Sequence, residues 1–179
     1  MGLNNYSAED VINKLDEKEL DKIFKFFGEE KESKFIARNI IKERSKKKID
    51  TQTLVEIIEK TKRKKNFKVH SATKVFQALR IFVNKEITEL INGAIKATKK
   101  LKPGGKILVI SFHSLEDRIV KRFMRDQSKP KDQPLELPVA QDYRDIKLKL
   151  VGKKIRPSED EVSKNQRSRS ALLRVAELC

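Results

Sequence analysis

A chain of 179 residues with 37% hydrophobic side chains can bury one domain core or two small ones, and no apolar run in it is long enough to cross a bilayer. A single cysteine, Cys179, accompanied only by His70 and His113, excludes an internal disulfide and a closed zinc site, so no metal site is expected. Against 26 acidic residues stand 42 Lys and Arg, a net charge of +16, which points to a polyanionic partner and to nucleic acid before a membrane surface.

No basic segment followed by an apolar stretch and a small-residue cleavage site opens the chain, so a cytoplasmic protein is expected. Two capping-box patterns, Ser7 with Asp10 and Asp16 with Glu19, announce short helices. After Asp16 the spacing of Leu20, Ile23, Phe24 and Phe27 is helical, and Gly28 stands where that helix would end. Phe35, Ile36, Ile40 and Ile41 predict a third helix, and Leu54, Ile57 and Ile58 a fourth. Residues 1–70 therefore read as a small helical domain ending in the basic loop Lys62, Arg63, Lys64, Lys65, Asn66, Phe67 and Lys68. That loop suits phosphate contact with one aromatic for base stacking, and it equally suits a solvated linker.

From Ser71 to about Leu101 an apolar stripe of Val75, Leu79, Phe82, Val83, Ile87, Leu90, Ile91 and Ala94 predicts one long helix, roughly 45 Å in extent. The turn Lys102-Pro103-Gly104-Gly105 and the β-branched run Lys106 to Ile110 follow, a strand of the kind buried in parallel sheets. Another helix runs from Ser114 to about Arg125, with Ser114 and Asp117 as its capping pair. Helix, glycine turn, buried strand and helix in this order are the repeating unit of a doubly wound α/β sheet. Residues 127–145 read as an irregular excursion, and 146–155 and 171–178 as a terminal pair of strands.

Leu101-Lys102-Pro103-Gly104-Gly105-Lys106-Ile107-Leu108-Val109-Ile110 resembles the segment leading into the fifth strand of class I methyltransferases. Its continuation, from Ser111-Phe112-His113-Ser114-Leu115-Glu116-Asp117 to Phe123, resembles the hallmark of the MraW family of ribosomal RNA methyltransferases. Phe76 to Asn84 and Arg167 to Glu177 resemble two further blocks of that family, in the same order and spacing. The resemblance implies an α/β fold: a partial Rossmann-like class I methyltransferase core, residues 71–179, preceded by a small helical insertion domain. It also implies methylation of the exocyclic N4 of a cytosine in small-subunit ribosomal RNA, with S-adenosyl-L-methionine as cofactor and the small ribosomal subunit or its RNA as partner.

A methyltransferase of this class needs a glycine-rich turn after its first strand, where backbone approaches the cofactor. Six glycines occur here and none forms a G-x-G. The cofactor-binding residues are therefore expected upstream of Met1, in an N-terminal half supplied in cis or in trans, and the chain is expected to be inactive by itself. Two further readings stay open: a non-catalytic basic RNA-binding module, and one half of a split enzyme.

Within the chain, Ser111 and His113 are the candidates for the target-base pocket, at the carboxyl end of the predicted strand, where open α/β sheets bind ligands. His113 either relays the proton lost by the amine or packs to orient the following helix. Gln77, Arg80 and Asn84 fall on one polar stripe that faces either RNA or a domain interface. Arg167 and Arg169 alternate on an expected strand, where they either grip a phosphate together or solvate its face.

Overall fold

The computed structural model describes residues 7–62, 70–129 and 147–179. Arg63, Lys64 and Lys65 of the basic loop, and most of the 127–145 excursion, lie outside the described residues. The chain divides into two compact units, Met1–Glu86 and Ile87–Cys179.

The first unit is helical because local chemistry starts each helix and one apolar stripe on each finds the others. Helices α1 (Ala8–Lys14) and α2 (Glu17–Phe26) open with the capping boxes of Ser7 with Asp10 and Asp16 with Glu19. Helix α3 (Ser33–Arg44) follows, and Asp50 caps α4 (Thr51–Thr61) by accepting from the Thr53 N–H. Helix α5 (Thr73–Val83) completes the unit by laying Val75, Ala78 and Leu79 on a core of Val11, Leu20, Phe24, Ile36, Ile40 and Ile58. Each such fully buried Leu, Ile or Phe contributes about 1.5–3 kcal/mol. Gly28 lets α5 approach closely, since a Cβ there would lie 2.5 Å from the Lys74 carbonyl oxygen. Because α5 packs with α1 and α2, the division falls after Glu86 and not near residue 70.

The single long helix is corrected to two. Helix α5 ends at Val83, and α6 runs over Glu86–Lys99. Asn84 closes α5 with its N–H on the Arg80 carbonyl, and Lys85 turns the chain at a φ of 52°, in the left-handed region. Apolar spacing runs through this break, so the stripe is real but the helix carrying it is not continuous.

In the second unit, β1 (Lys106–Ser111), α7 (Ser114–Asp126), β2 (Leu148–Leu150), α8 (Glu159–Lys164) and β3 (Leu172–Leu178) follow in order. The sheet has the order β1-β3-β2, and both pairings are antiparallel, with Leu108 opposite Val175 and Leu150 opposite Ala176. The expected terminal strand pair is thus present, with β3 central. One face of the sheet is covered: Ile107, Leu148 and Ala176 pack with Ile119, Val120, Phe123 and Met124 of α7 and Ile95 of α6. The other face is not covered among the described residues, and Leu108 and Ile110 of β1 are 59% and 58% exposed on it. The expectation of a strand buried on both faces of a parallel sheet is therefore not met by the described residues.

Candidate functional site

Ser111 ends β1, and two residues later His113 begins α7 from an extended conformation. His113 is the N-cap: its Nδ1 accepts from the Glu116 N–H at 3.3 Å. Glu116 answers by accepting from the Phe112 N–H at 2.9 Å, while its Oε1 lies 3.3 Å from the buried His113 Nε2. Burial pushes the Glu116 carboxyl up, but the adjoining His113 side chain and the Phe112 N–H outweigh it and hold the group below its ordinary value. The capping pair assigned to Ser114 and Asp117 is therefore corrected by one residue. Ser114 is the first residue inside the helix, and Asp117 turns to Arg174.

This geometry bears on the two accounts of His113. In this arrangement Nδ1 is engaged by the Glu116 N–H, and Nε2 lies beside the Glu116 carboxylate. His113 caps α7 two residues after β1 ends. Ser111 is 2% exposed, and its Oγ has no hydrogen-bond partner among the described residues.

The remaining described sequence candidates are placed within their own units. Arg80 donates from Nε and Nη2 to the Glu86 carboxylate at 2.7 and 3.0 Å, and the Asn84 amide reaches the same carboxylate at 3.3 Å. Arg80 and Asn84 thus converge on the break after α5, and Gln77 takes no part in that cluster. Lys62 is turned inward: its Nζ lies 2.6 Å from the Glu30 carboxylate and donates to the Ser71 carbonyl at 2.6 Å, so it offers no charge to a solvent-borne phosphate. Arg167 and Arg169 sit in a 3-10 turn, Gln166–Ser170, and not on a strand. At three residues per turn, positions two apart leave the helix on different sides, so the shared grip expected from strand alternation does not form.

Two constellations went unread in the sequence. Arg174 of β3 forms a two-pronged ion pair with Asp117 of α7, at 2.7 and 2.9 Å, with both side chains largely buried. Beside it a cavity of about 90 Å³ opens between α7 and the residues after β2, lined by Lys121, Arg125, Lys153, Lys154 and Arg174 over Met124. Alternation in Leu172–Leu178 places Arg174 on the face of buried Ala176, and an inward-facing arginine announces a carboxylate partner.

The description of the MraW methylase family matches residues 3–179. The chain belongs to the MraW methylase family. It is 48% identical over 177 residues to the ribosomal RNA small subunit methyltransferase H of Sinorhizobium fredii, covering 97% of this chain and 52% of that protein. A Carboxydothermus hydrogenoformans protein of the same name is 46% identical over 178 residues, with 97% and 57% covered. For its Legionella pneumophila counterpart the identity is 42% over 172 residues, with 96% and 56% covered. The chain spans about half the length of these curated relatives. The motif from Ser111 to Asp117 that resembles this family's hallmark is the β1–α7 junction itself, and the motif from Arg167 to Glu177 supplies the 3-10 turn and β3. No helix among the described residues is long and apolar enough to cross a membrane.

Proposed function

We propose that this chain is the C-terminal part of an S-adenosylmethionine-dependent methyltransferase acting on the exocyclic N4 of a cytosine in small-subunit ribosomal RNA. Its cofactor site is completed by a segment outside the chain, supplied in cis or in trans. One observation carries this reading. Strand β1 has an unpaired outer edge among the described residues and presents Leu108 and Ile110 on one uncovered side, at 59% and 58% exposure, with Phe112, 55% exposed, directly after it. A layered α/β core buries both faces of its central strands, so a strand of this composition wants a parallel neighbour at its edge and a second layer over its face. The relatives are about twice as long as the part matched here.

The chain's Gly104-Gly105 turn does not fit the cofactor. It lies at the amino end of β1, away from the end where open α/β sheets bind ligands. The donors of that turn are already committed, the Gly104 N–H to Leu178 and the Gly105 N–H to Lys102, both at 2.8 Å.

At the other end of β1, Ser111 and His113 mark where the target base would sit. A cytosine N4 lone pair is delocalised into its ring, so such an enzyme works chiefly by positioning the amine and excluding water. In this reading His113 fixes the start of α7, and the buried Ser111 hydroxyl, unpartnered among the described residues, is available to a group from the missing segment or to the base.

The test is isothermal titration of the purified chain with S-adenosylmethionine, alone and after mixing with the N-terminal segment of the Carboxydothermus hydrogenoformans relative. No heat alone, but saturable binding and N4-methylcytidine in small-subunit RNA with the mixture, is expected. Saturable binding by the chain alone would overturn the incomplete site. RNA binding by the mixture with neither cofactor binding nor methyl transfer would favour the non-catalytic RNA-binding module.

A further inference from the structure

The second unit gathers cations outside the sequence candidates for RNA contact. Lys121 and Arg125 project from one face of α7 into the cavity of about 90 Å³, and Lys153 and Lys154 line its opposite wall. Arg174 completes the lining, and no carboxylate belongs to it. Asp117 accepts from Arg174 Nε and Nη2 and also feels the charges of Lys154 and Lys121.

The wall carrying the two lysines is held in place by backbone bonds. The Val151 N–H donates to the Val175 carbonyl at 3.1 Å, and Ile155 and Leu173 exchange bonds of 2.9 and 3.0 Å. Between these anchors Gly152 takes a φ of 66°, so Gly152, Lys153 and Lys154 form a short bulge fixed to β3 at both ends. Asp117 offsets part of the charge of Arg174, Lys121 and Lys154, and an added anion would offset the remaining repulsion among the cleft's cations.

We propose that this cleft between α7 and the 152–154 bulge binds a backbone phosphate of RNA. The inference rests on the ribosomal RNA reading above and adds a contact surface outside the sequence candidates. The cavity suits one tetrahedral anion, and the net charge of +16 favours a polymer of phosphates over an isolated one. Contact here positions the substrate and reads no sequence.

The experiment is fluorescence anisotropy of a short labelled RNA hairpin with the intact chain over a series of KCl concentrations. The Lys121→Gln, Lys153→Gln, Lys154→Gln triple variant is compared with a triple variant losing the same charge on α2, Lys18→Gln, Lys22→Gln and Lys25→Gln. The cleft variant is expected to lose about tenfold in affinity and to flatten the log–log salt slope by about one more than the α2 variant. The corresponding triple Lys→Arg variant should retain binding, which separates lost charge from lost folding. If the cleft and α2 variants weaken binding equally, the cleft is not the site and the ribosomal RNA reading stands. If the unaltered chain fails to bind RNA even at low salt, the RNA reading of this chain falls and the cleft with it. Poly-glutamate binding as tightly as RNA, and lost selectively with the cleft variant, would reassign the surface to acidic protein segments and overturn the proposal.

Discussion

Arg174 on β3 and Asp117 on α7 are 57 positions apart in sequence and meet through two parallel hydrogen bonds, at 2.7 and 2.9 Å. Their side chains are 17% and 13% exposed, so solvent screens the pair little. It pins the helix onto the covered face of the sheet, where apolar packing alone would leave rotation about the helix axis loosely fixed. Removing one partner leaves the other charge largely buried, and Asp117→Asn is expected to cost about 2–3 kcal/mol. The Arg174 guanidinium holds the Asp117 carboxyl below its ordinary value of 3.8 against the opposing effect of burial. A depressed carboxyl stabilises the fold above its unfolded pKa, and that contribution is lost as pH falls through the folded one. Urea titrations should show the gap between parent and Asp117→Asn constant at neutral pH and closing below about pH 4. A gap independent of pH would mean that the loss reflects packing and not the ion pair.

Lys62 is expected to matter for stability and not for RNA affinity. Glu30, 5% exposed, has the Lys62 ammonium 2.6 Å away, and Lys62→Ala strands that carboxylate. A loss of about 3 kcal/mol is expected, partly recovered by adding Glu30→Gln. If Lys62→Ala instead leaves the urea midpoint unchanged and flattens the salt dependence of RNA binding, Lys62 is a phosphate contact after all.

The turn between α5 and α6 stores a small strain. Lys85 holds a φ of 52°, which side chains with a Cβ adopt at a cost. Lys85→Gly is expected to raise stability by about 0.5–1 kcal/mol after the entropy gained by the unfolded chain is subtracted, and Lys85→Val to lower it by about 1 kcal/mol. Far-UV circular dichroism during thermal unfolding distinguishes the two. A rise in stability with Val, or a fall with Gly, would mean that the helix runs on through this point in solution.

How much of this was legible depended on how local the signal is. Ser7, Asp16 and Asp50 start their helices with side chains that act three residues away, and the sequence reading recovered the first two as capping boxes. The break at Asn84 escaped because Phe82, Val83, Ile87, Leu90 and Ile91 keep helical spacing across it; a pattern that tracks one apolar face is blind to a turn that preserves the face. Arg167 and Arg169 were misplaced because alternation was extended back from β3, although Asn165, which accepts from the Arg167 N–H at 3.1 Å, is a local marker of a turn. The interior fate of Lys62 and the pairing of Arg174 depend on residues far away in the chain, and periodicity carries no information about those.

The cap on α7 gives the most direct test of how the family motif works. Histidine is not among the common N-cap residues, which is why Ser114 drew the assignment, yet the ring accepts the Glu116 N–H where a serine hydroxyl normally would. If capping is its role, His113→Ala should cost about 1 kcal/mol and His113→Asn should recover most of it, because a short carbonyl side chain can accept the same N–H. The same pair of substitutions in the full-length Carboxydothermus hydrogenoformans relative separates positioning from proton transfer. A capping His113 predicts that Asn restores methylation along with stability, with no change in the shape of the pH–rate profile. Stability restored by Asn with methylation still lost would show that the imidazole itself takes part in the reaction, despite the commitment of its Nδ1 to the helix.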